Sequence, residues 1–387
     1  MSLKDEFSHI RNTAEELLAR QRKWTPGVEW LGDDGTVTTD ALQGDPEWDH
    51  ILEAWNLDPK DFQIVEPVLF NSWGGEDGLT NRQFKAKVIR RTYSAVDLEP
   101  LIRNALKHKA SGRVFTGDEV MTVVLADWQI GKADGDGVEG TIRRIVECKD
   151  AVINRAKALR RMGYGVPRLN VVWTGDSIEG CTGFYSTQTY AVELNRREQV
   201  TVTRRLLTES LQAWSKHFDE IVVAAVAGNH GEHRANGKTF TSLDDNDDIA
   251  VVEQVSEVLA ANPDAFGHVR FVIASDALTL TIPVGDFILG ITHGHVARSG
   301  AGVEGKLRSW WEKQAAGRQP IGDADILLSG HYHHLRVADW GGCVWLQSPA
   351  LDGGSEWWRL SRGEVSQAGM LSFVTTRQDR VTELVVL

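Results

Sequence analysis

Five times along this chain a short apolar run ends abruptly in Asp, Asn, Gln or His, and this repeated pattern constrains the fold more than any other feature. Val120–Ala126 leads into Asp127-Trp128-Gln129, and Leu169–Thr174 into Gly175-Asp176-Ser177-Ile178-Glu179. Glu220–Ala227 is followed by Gly228-Asn229-His230-Gly231-Glu232, Phe287–Thr292 by His293-Gly294-His295, and Ile326–Ser329 by Gly330-His331-Tyr332-His333-His334. Apolar runs of four to eight residues bounded by glycine read as buried strands of an α/β sheet. Side chains placed at the carboxyl ends of such strands stand where these sheets bind ligands.

Between the runs, Gly140–Met162, Ala191–His217 and Asp248–Ala260 carry apolar residues three and four apart, the helical spacing. His268–Ile273 reads as a further strand. Strands alternating with helices predict a sheet covered by helices, hence an α/β class. After Gly330 the helices stop, and Leu335–Trp340, Cys343–Ser348, Met370–Thr375 and Val381–Leu387 read as closing strands. The acidic run Asp244–Asp248 lacks the glycine and terminal glutamate of an EF-hand loop, so it is expected to cap the helix beginning near Ile249.

Residues 1–112 differ in pattern and are expected to form a small α+β domain ahead of a main domain over 113–387. Leu3–Trp24 has helical spacing, Asp33-Asp34-Gly35 signals a turn, and Asp45-Pro46 precedes a second helix with Pro in its first turn. Gln63–Asn71 and Gln83–Thr92 read as strands around Gly74–Gly78, and Val96–His108 as a linking helix. His9, His50 and His108 stand alone, as packing or surface histidines do. Arg82, Lys85, Lys87, Arg90 and Arg91 mark a basic strand that is either a solvated face or a nucleic-acid-facing stripe.

The formal net charge of −12 argues against tight non-specific binding to DNA, which basic proteins favour. No apolar run approaches the roughly 20 residues needed to span a bilayer. The charged, amphipathic N-terminus is not a secretory signal. Cys148, Cys181 and Cys343 are widely spaced without a paired or zinc-ribbon pattern, which suits a reducing cytoplasm, a host cytoplasm if the chain is phage-encoded.

The five blocks, in this order, resemble the calcineurin-like metallophosphoesterases, whose pattern is Asp-x-His, Gly-Asp-x-x-Asp, Gly-Asn-His-Asp/Glu, a lone His and Gly-His-x-His. The resemblance spans about residues 119–350. It implies a four-layer sandwich of two β-sheets flanked by helices and a pair of divalent ions, Mn2+ first, with Fe or Zn as alternatives. One ion would take Asp127, Gln129, Asp176 and His333; the other would take Asp176, Asn229, His293 and His331. Asp176 would bridge the two, and His230 would face the reacting phosphate without binding metal. Two such ions about 3.5–4 Å apart polarise a phosphoryl group and make a bridging hydroxide available at neutral pH.

Three departures from the pattern stand out. Gln129 replaces a histidine, a neutral oxygen donor that weakens the first metal position. Glu179 replaces an aspartate, and an inserted glycine separates His230 from Glu232, leaving a His230–Glu232 dyad open. His233, His295 and His334, with Glu179 and Glu232, are expected beside the ions or on the substrate side rather than on the metal. Cys181, Phe184 and Tyr185 either line the site or form a helix-capping loop.

The blocks GNHGEH and GHYHH, with QSPALDGGSEWW, look most like SbcD-type DNA repair exonucleases of bacteriophages that infect actinobacteria. That resemblance implies a DNA substrate, a homodimer and an ATPase partner, although no coiled-coil insertion is visible. Trp73, Trp310, Trp311, Trp357 and Trp358 are then candidates for base stacking or, more ordinarily, for packing. A hydrolase for a small phosphoester such as a nucleotide, and an inactive metal-poor binding module, are the competing readings.

Overall fold

The computed structural model describes residues 24–31, 34–57, 59, 62–74, 79–90, 98–112, 114–185, 187–235, 237–355, 359–361, 363 and 365–387. The chain divides into two compact units with the break between Tyr93 and Ser94. The helix expected over Leu3–Trp24 lies, but for Trp24, outside the described residues, as do Gly75–Gly78, Arg91, Trp357 and Trp358.

The smaller unit is built on a four-stranded antiparallel sheet of β1 (Gly27–Leu31), β2 (Asp34–Thr38), β3 (Phe62–Gly74) and β4 (Thr80–Arg90), in the order β1-β2-β4-β3. Asp34 and Gly35, expected in a turn, instead pair as strand residues with Leu31 and Trp30. Along β4 the side chains of Phe84, Ala86 and Val88 are buried, whereas Lys87 is exposed and Lys85 half-buried. This is the period-two alternation of a sheet with one covered face. Helix α1 (Trp48–Ala54) supplies Leu52 to that core, beside Val37 and Val88. Pro46 lies just before this helix rather than within its first turn. Arg82 is tied to Asp45 at 3.2 Å.

The larger unit opens with helix α2 (Glu99–Ala105). Sequence spacing grouped this helix with the first domain, yet Leu98, Leu101 and Ile102 pack on the core of the larger unit. Asn262 Nδ2 also donates to its last carbonyl, Ala105 O at 2.9 Å, and to His108 O just beyond it at 3.1 Å. The strands that follow are β5 (Val120–Leu125), β6 (Arg168–Trp173), β7 (Glu220–Ala225), the short hairpin β8 (Arg234–Ala235) and β9 (Lys238–Thr239), β10 (Val269–Ile273), β11 (Thr279–Val284), β12 (Phe287–Thr292), β13 (Ile326–Ser329), β14 (Arg336–Asp339), β15 (Val344–Gln347), β16 (Leu371–Thr375) and β17 (Thr382–Val386). Between them run α3 (Gly137–Arg161), α4 (Arg196–Trp214), α5 (Asp247–Ala260), α6 (Pro263–Phe266) and α7 (Gly302–Ala316).

Two sheets result. The first has the order β10-β7-β6-β5-β16-β17, parallel from β10 to β5 and antiparallel beyond. The second has the order β11-β12-β13-β15-β14. Alternate residues of β5 explain why the run is apolar throughout. Met121, Val123 and Leu125 face one core, with Ile145 of α3, Leu207 of α4 and Val255 of α5. Val120 and Val124 face a second core, shared with Leu289, Ile291, Ile326, Leu328 and Leu346 of the other sheet. Behind that sheet Leu307 of α7 packs on Leu327 and Trp345. The layers are therefore helices, sheet, sheet and helix, the four-layer α/β sandwich expected from the motif order.

Local chemistry sets the element ends. Helix α4 begins at Arg196, not Ala191, because Asn195 and Glu198 form a capping box there. Helix α7, with two glycines and one fully buried side chain, carries little periodic signal and was not foreseen. Strand β11 escaped because Pro283 interrupts it, which an edge strand tolerates. Among the described residues no helix is long and apolar enough to cross a membrane.

Candidate metal centre

The parallel ladder of β5 and β6 continues past the strand ends. Gln129 N donates to Asp176 O at 3.0 Å, Ile130 N to Ser177 O at 3.0 Å, and Glu179 N back to Ile130 O at 3.0 Å. The first two sequence blocks are thus held side by side. Gly175 and Gly228 bring the second and third together: a Cβ on Gly175 would lie 2.1 Å from Gly228 N, and φ at Gly175 is +89°. Asp248 ties this junction from beneath. Its carboxylate accepts hydrogen bonds from Asp176 N (2.9 Å), Gly228 N (2.9 Å), Ser177 N (2.8 Å) and Ser177 Oγ (2.5 Å). Burial and the neighbouring Asp176 charge push the Asp248 carboxyl up from its ordinary value, and the bonds from Ser177 and Gly228 oppose that shift.

Backbone strain gathers at the same place. Among the described residues nine non-glycine positions have positive φ, and five of them are Asp127 (+49°), Gln129 (+42°), Asp176 (+54°), His331 (+70°) and His333 (+58°). Left-handed backbone is disfavoured for side-chain-bearing residues and persists where the surroundings enforce it, commonly at functional sites.

Asp176, His293 and His331 offer ligand atoms that all lie within 4.8 Å of one another. His293 Nδ1 lies 2.8 Å from Thr174 O, an acceptor only, so Nδ1 carries the hydrogen and Nε2 is directed at the remaining partners. Those partners are Asp176 Oδ2 at 3.0 Å and Asn229 Oδ1 at 3.1 Å. A neutral ring would aim its lone pair at two oxygens, so the group requires a cation at its centre, a proton or a metal ion. Burial pulls the His293 ring down, but Asp176 outweighs it and raises the ring to about 9. Burial opposes the Asp176 charge too, yet His293 and His230 hold its carboxyl well below the usual carboxylate range. Burial and the His293 charge push His331 down to about 3, leaving a neutral imidazole. One carboxylate, one amide oxygen and two imidazoles form a donor set suited to Mn, Fe or Zn.

The remaining expected ligands, Asp127, Gln129 and His333, make a second group of contacts. His331 N donates to both Asp127 oxygens, at 3.1 and 3.0 Å, and His333 Nε2 is 3.4 Å from Asp127 Oδ1. Gln129 Nε2 and His333 Nε2 are 3.4 Å apart. Burial disfavours the His333 charge, but Asp352 and Asp127 raise the ring to about 10. Asp352 itself is ion-paired to Lys132, whose Nζ also lies 3.3 Å from Gln129 Oε1.

His230 stands beside this cluster. Its backbone N–H donates to Asp176 Oδ1 at 2.7 Å. Its Nδ1 is 2.7 Å from Glu179 O and 3.6 Å from Glu179 Oε2, and its ring stacks on Phe184 at 4.3 Å with 2° between planes. Because a carbonyl only accepts, Nδ1 carries a hydrogen and Nε2 is left for substrate. Tyr185 OH donates to Glu179 Oε1 at 2.8 Å and Gln188 Nε2 to Glu179 O at 2.8 Å, which fixes the histidine's support. Glu179 is therefore the acid beside His230.

The dyad with Glu232 does not form. Glu232 accepts instead from Arg234 Nε and Thr239 Oγ1, both at 2.7 Å, because the inserted Gly231 turns it into the β8–β9 hairpin. His295 does join the cluster, its ring 5.3 Å from that of His293, and burial with the His293 charge lowers it to about 4. His334 contributes its carbonyl to Gln347 Nε2 at 2.6 Å. His233 lies 3.6 Å from Asp245. Trp310 and Trp311 are packing residues behind the second sheet, with Trp311 Nε1 bonded to Ile321 O at 3.1 Å.

Sequence reasoning missed Asp248, Lys132 and Asp352. The acidic run does cap its helix as expected, with Asn246 Oδ1 accepting from Asp248 N at 2.9 Å, but the Asp248 carboxylate also reaches Asp176 N, which the run gave no sign of. A buried, paired Asp in an apolar stretch such as Pro349–Leu351-Asp352 was the available signal for the last.

No protein-family model and no curated protein matches this chain. Solved structures similar to it include wild-type Vps29 from Entamoeba histolytica complexed with zinc, at 16% identity over 69% of this chain and 98% of that one, with a TM-score of 0.28. A conserved uncharacterized protein from Streptococcus pneumoniae TIGR4, described as a predicted phosphoesterase, is 15% identical over 69% and 95%, with a TM-score of 0.27. A structure described as a novel archaeal phosphodiesterase is 12% identical over 69% and 99%, with a TM-score of 0.29.

Proposed function

We propose that this chain is a divalent-metal-dependent phosphoesterase of the calcineurin-like type that hydrolyses phosphodiester bonds, with DNA as its substrate. The observation that carries the proposal is the convergence of Asp176, Asn229, His293 and His331 on one point, with His230 held alongside but directed elsewhere. A divalent ion held there polarises a phosphoryl oxygen and acidifies a water molecule. The protein's own part is to fix the donors, through Asp248 and the Thr174 carbonyl, and to present His230 Nε2 to the phosphate. Protonated, that nitrogen donates to a phosphoryl oxygen or to the departing alkoxide. Phe184, with Arg234 4.5 Å over its ring, keeps the imidazole from rotating.

The DNA reading draws on the motif resemblance and on exposed Tyr190 and Phe240, in the segments that follow the second and third blocks, which offer faces for stacking. The test is to supply Mn2+ and offer bis-p-nitrophenyl phosphate, p-nitrophenyl phosphate and labelled single- and double-stranded DNA. Cleavage of the diester and of DNA is expected. Turnover of the small esters alone would replace the nuclease by a small-molecule phosphoesterase, and silence throughout from a folded, metal-loaded protein would overturn the hydrolase.

A further inference from the structure

The two halves of the centre are not equivalent, and the difference lies in a residue outside the expected ligand set. Lys132 follows Gln129 by three positions and is fixed by a turn bond, Lys132 N to Gln129 O at 3.1 Å, and by a bridge to Val192. Its ammonium is largely buried, 14% exposed, and pairs with Asp352, itself 3% exposed. It also faces Gln129 Oε1, the one atom through which that side chain can bind a metal, at 3.3 Å. Asp352 Oδ2 meanwhile lies 3.6 Å from His333 Nδ1. Gln129 and His333, and Asp127 through His333, are thus already engaged with the Lys132–Asp352 pair.

We infer that this chain holds one divalent ion tightly, at Asp176, Asn229, His293 and His331, and that the Lys132 ammonium supplies the positive charge of the other half in place of a second tightly held ion. The inference rests on the metal-centre reading and refines it. Three observations support the asymmetry. Among the described residues the only group of three or more acid, imidazole or thiolate ligand atoms within 4.8 Å is Asp176, His293 and His331. Both oxygens of Asp127 already accept from His331 N, whereas Asp176 Oδ2 is directed at His293 Nε2. Lastly, a fixed ammonium a few ångströms from an incoming dication opposes it in a buried site, with the Asp352 carboxylate offsetting part of that repulsion. An ammonium at that position can also receive a phosphoryl oxygen, as a point charge with three donors.

Full-length protein is desalted after loading with Mn2+, its metal counted by plasma mass spectrometry, and its Mn2+ electron paramagnetic resonance spectrum recorded during titration. About one ion per chain and an uncoupled signal are expected, with a second ion appearing only at Mn2+ concentrations at least about tenfold higher. Lys132→Met should bring that second binding step down by about tenfold or more and yield a spin-coupled pair, while Lys132→Arg should retain one ion. If Lys132→Met fails to fold, Lys132→Gln, which removes the charge but can still donate to Asp352, reads the same step. Two equally tight ions in the parent, or a second step that ignores Lys132, would overturn the inference and leave the phosphoesterase reading standing. No retained ion in any variant would overturn both.

Discussion

Asp248 touches no expected ligand atom, yet it should govern both stability and metal affinity. Its carboxylate is fully buried and receives three backbone N–H groups and one hydroxyl, from Asp176 itself, from Ser177 and from Gly228 beside Asn229. Asp248→Ala strands these four donors. A buried donor left without an acceptor costs about 1–3 kcal/mol, though water entering the cavity and relief of repulsion with Asp176 recover part of the sum. A net loss of about 3–5 kcal/mol is expected, at the upper end of single substitutions. Asp248→Asn keeps the shape but turns an NH2 toward donors whichever way the amide lies, for a loss of about 2 kcal/mol. Urea unfolding of the metal-free protein measures both. Because the bonds to Asp176 N and Ser177 N hold a left-handed turn, Mn2+ affinity measured by calorimetry on the folded Asn variant should fall about tenfold. If both variants unfold at the parental urea concentration and the Asn variant binds Mn2+ as the parent does, the carboxylate is not what holds the two metal-bearing turns together.

His230→Ala should retain metal, since its link to Asp176 is through the backbone N–H, while lowering kcat about 10²–10⁴-fold; Asp176→Ala should lose retained metal on desalting, and the reverse pattern would exchange their roles. Burial pushes the Cys148 thiol up to about 11 and Cys343 up to about 12, so at pH 8 less than about 1% of either is thiolate, against roughly a quarter of an ordinary thiol. Titration of native protein with a thiol reagent should therefore find at most Cys181 reactive, and prompt labelling of all three would refute that packing. Arg144 binds both oxygens of Asp136, at 2.6 and 2.9 Å, and holds its carboxyl below the ordinary value. A depressed folded pKa stabilises above the unfolded value, about pH 4, and that gain is lost as pH falls through the folded one. Arg144→Met should thus cost more at pH 7 than at about pH 2, part of the cost, the bond to Leu351 O, being independent of pH. A cost that is flat with pH would remove the ion pair from the account.

How legible was the molecule in its sequence? The central strands β5, β6, β7 and β13 were visible because nearly every residue in them is buried, which leaves an almost unbroken apolar run. The polar clusters at their ends were legible through their number and order, since a single Gly-Asp or Asn-His after a strand is more often a turn, a cap or a loop. What escaped depended on contacts distant in sequence. Lys132 and Asp352 lie 220 positions apart and acquire meaning only as a pair. Asp248 looked like its acidic neighbours until the fold turned it inward. Glu179 and Glu232 could not be ranked as partners of His230 by spacing, since Gly231 changes direction rather than distance. Phe184, which the sequence left open between lining the site and capping a helix, stacks on that histidine. In the small unit, Asp34 and Gly35 carry turn residues' identities but lie in a ladder, where pairing overrode local preference.

The left-handed backbone at Asp127, Gln129, Asp176, His331 and His333 has an evolutionary corollary. Each of these positions costs on the order of 1 kcal/mol that glycine would not incur. A lineage kept only for its shape would drift toward glycine or asparagine at all five, gaining robustness with every step. If the proposed centre binds its ion, the acids, amide and imidazoles at these five positions exchange local backbone stability for ion binding.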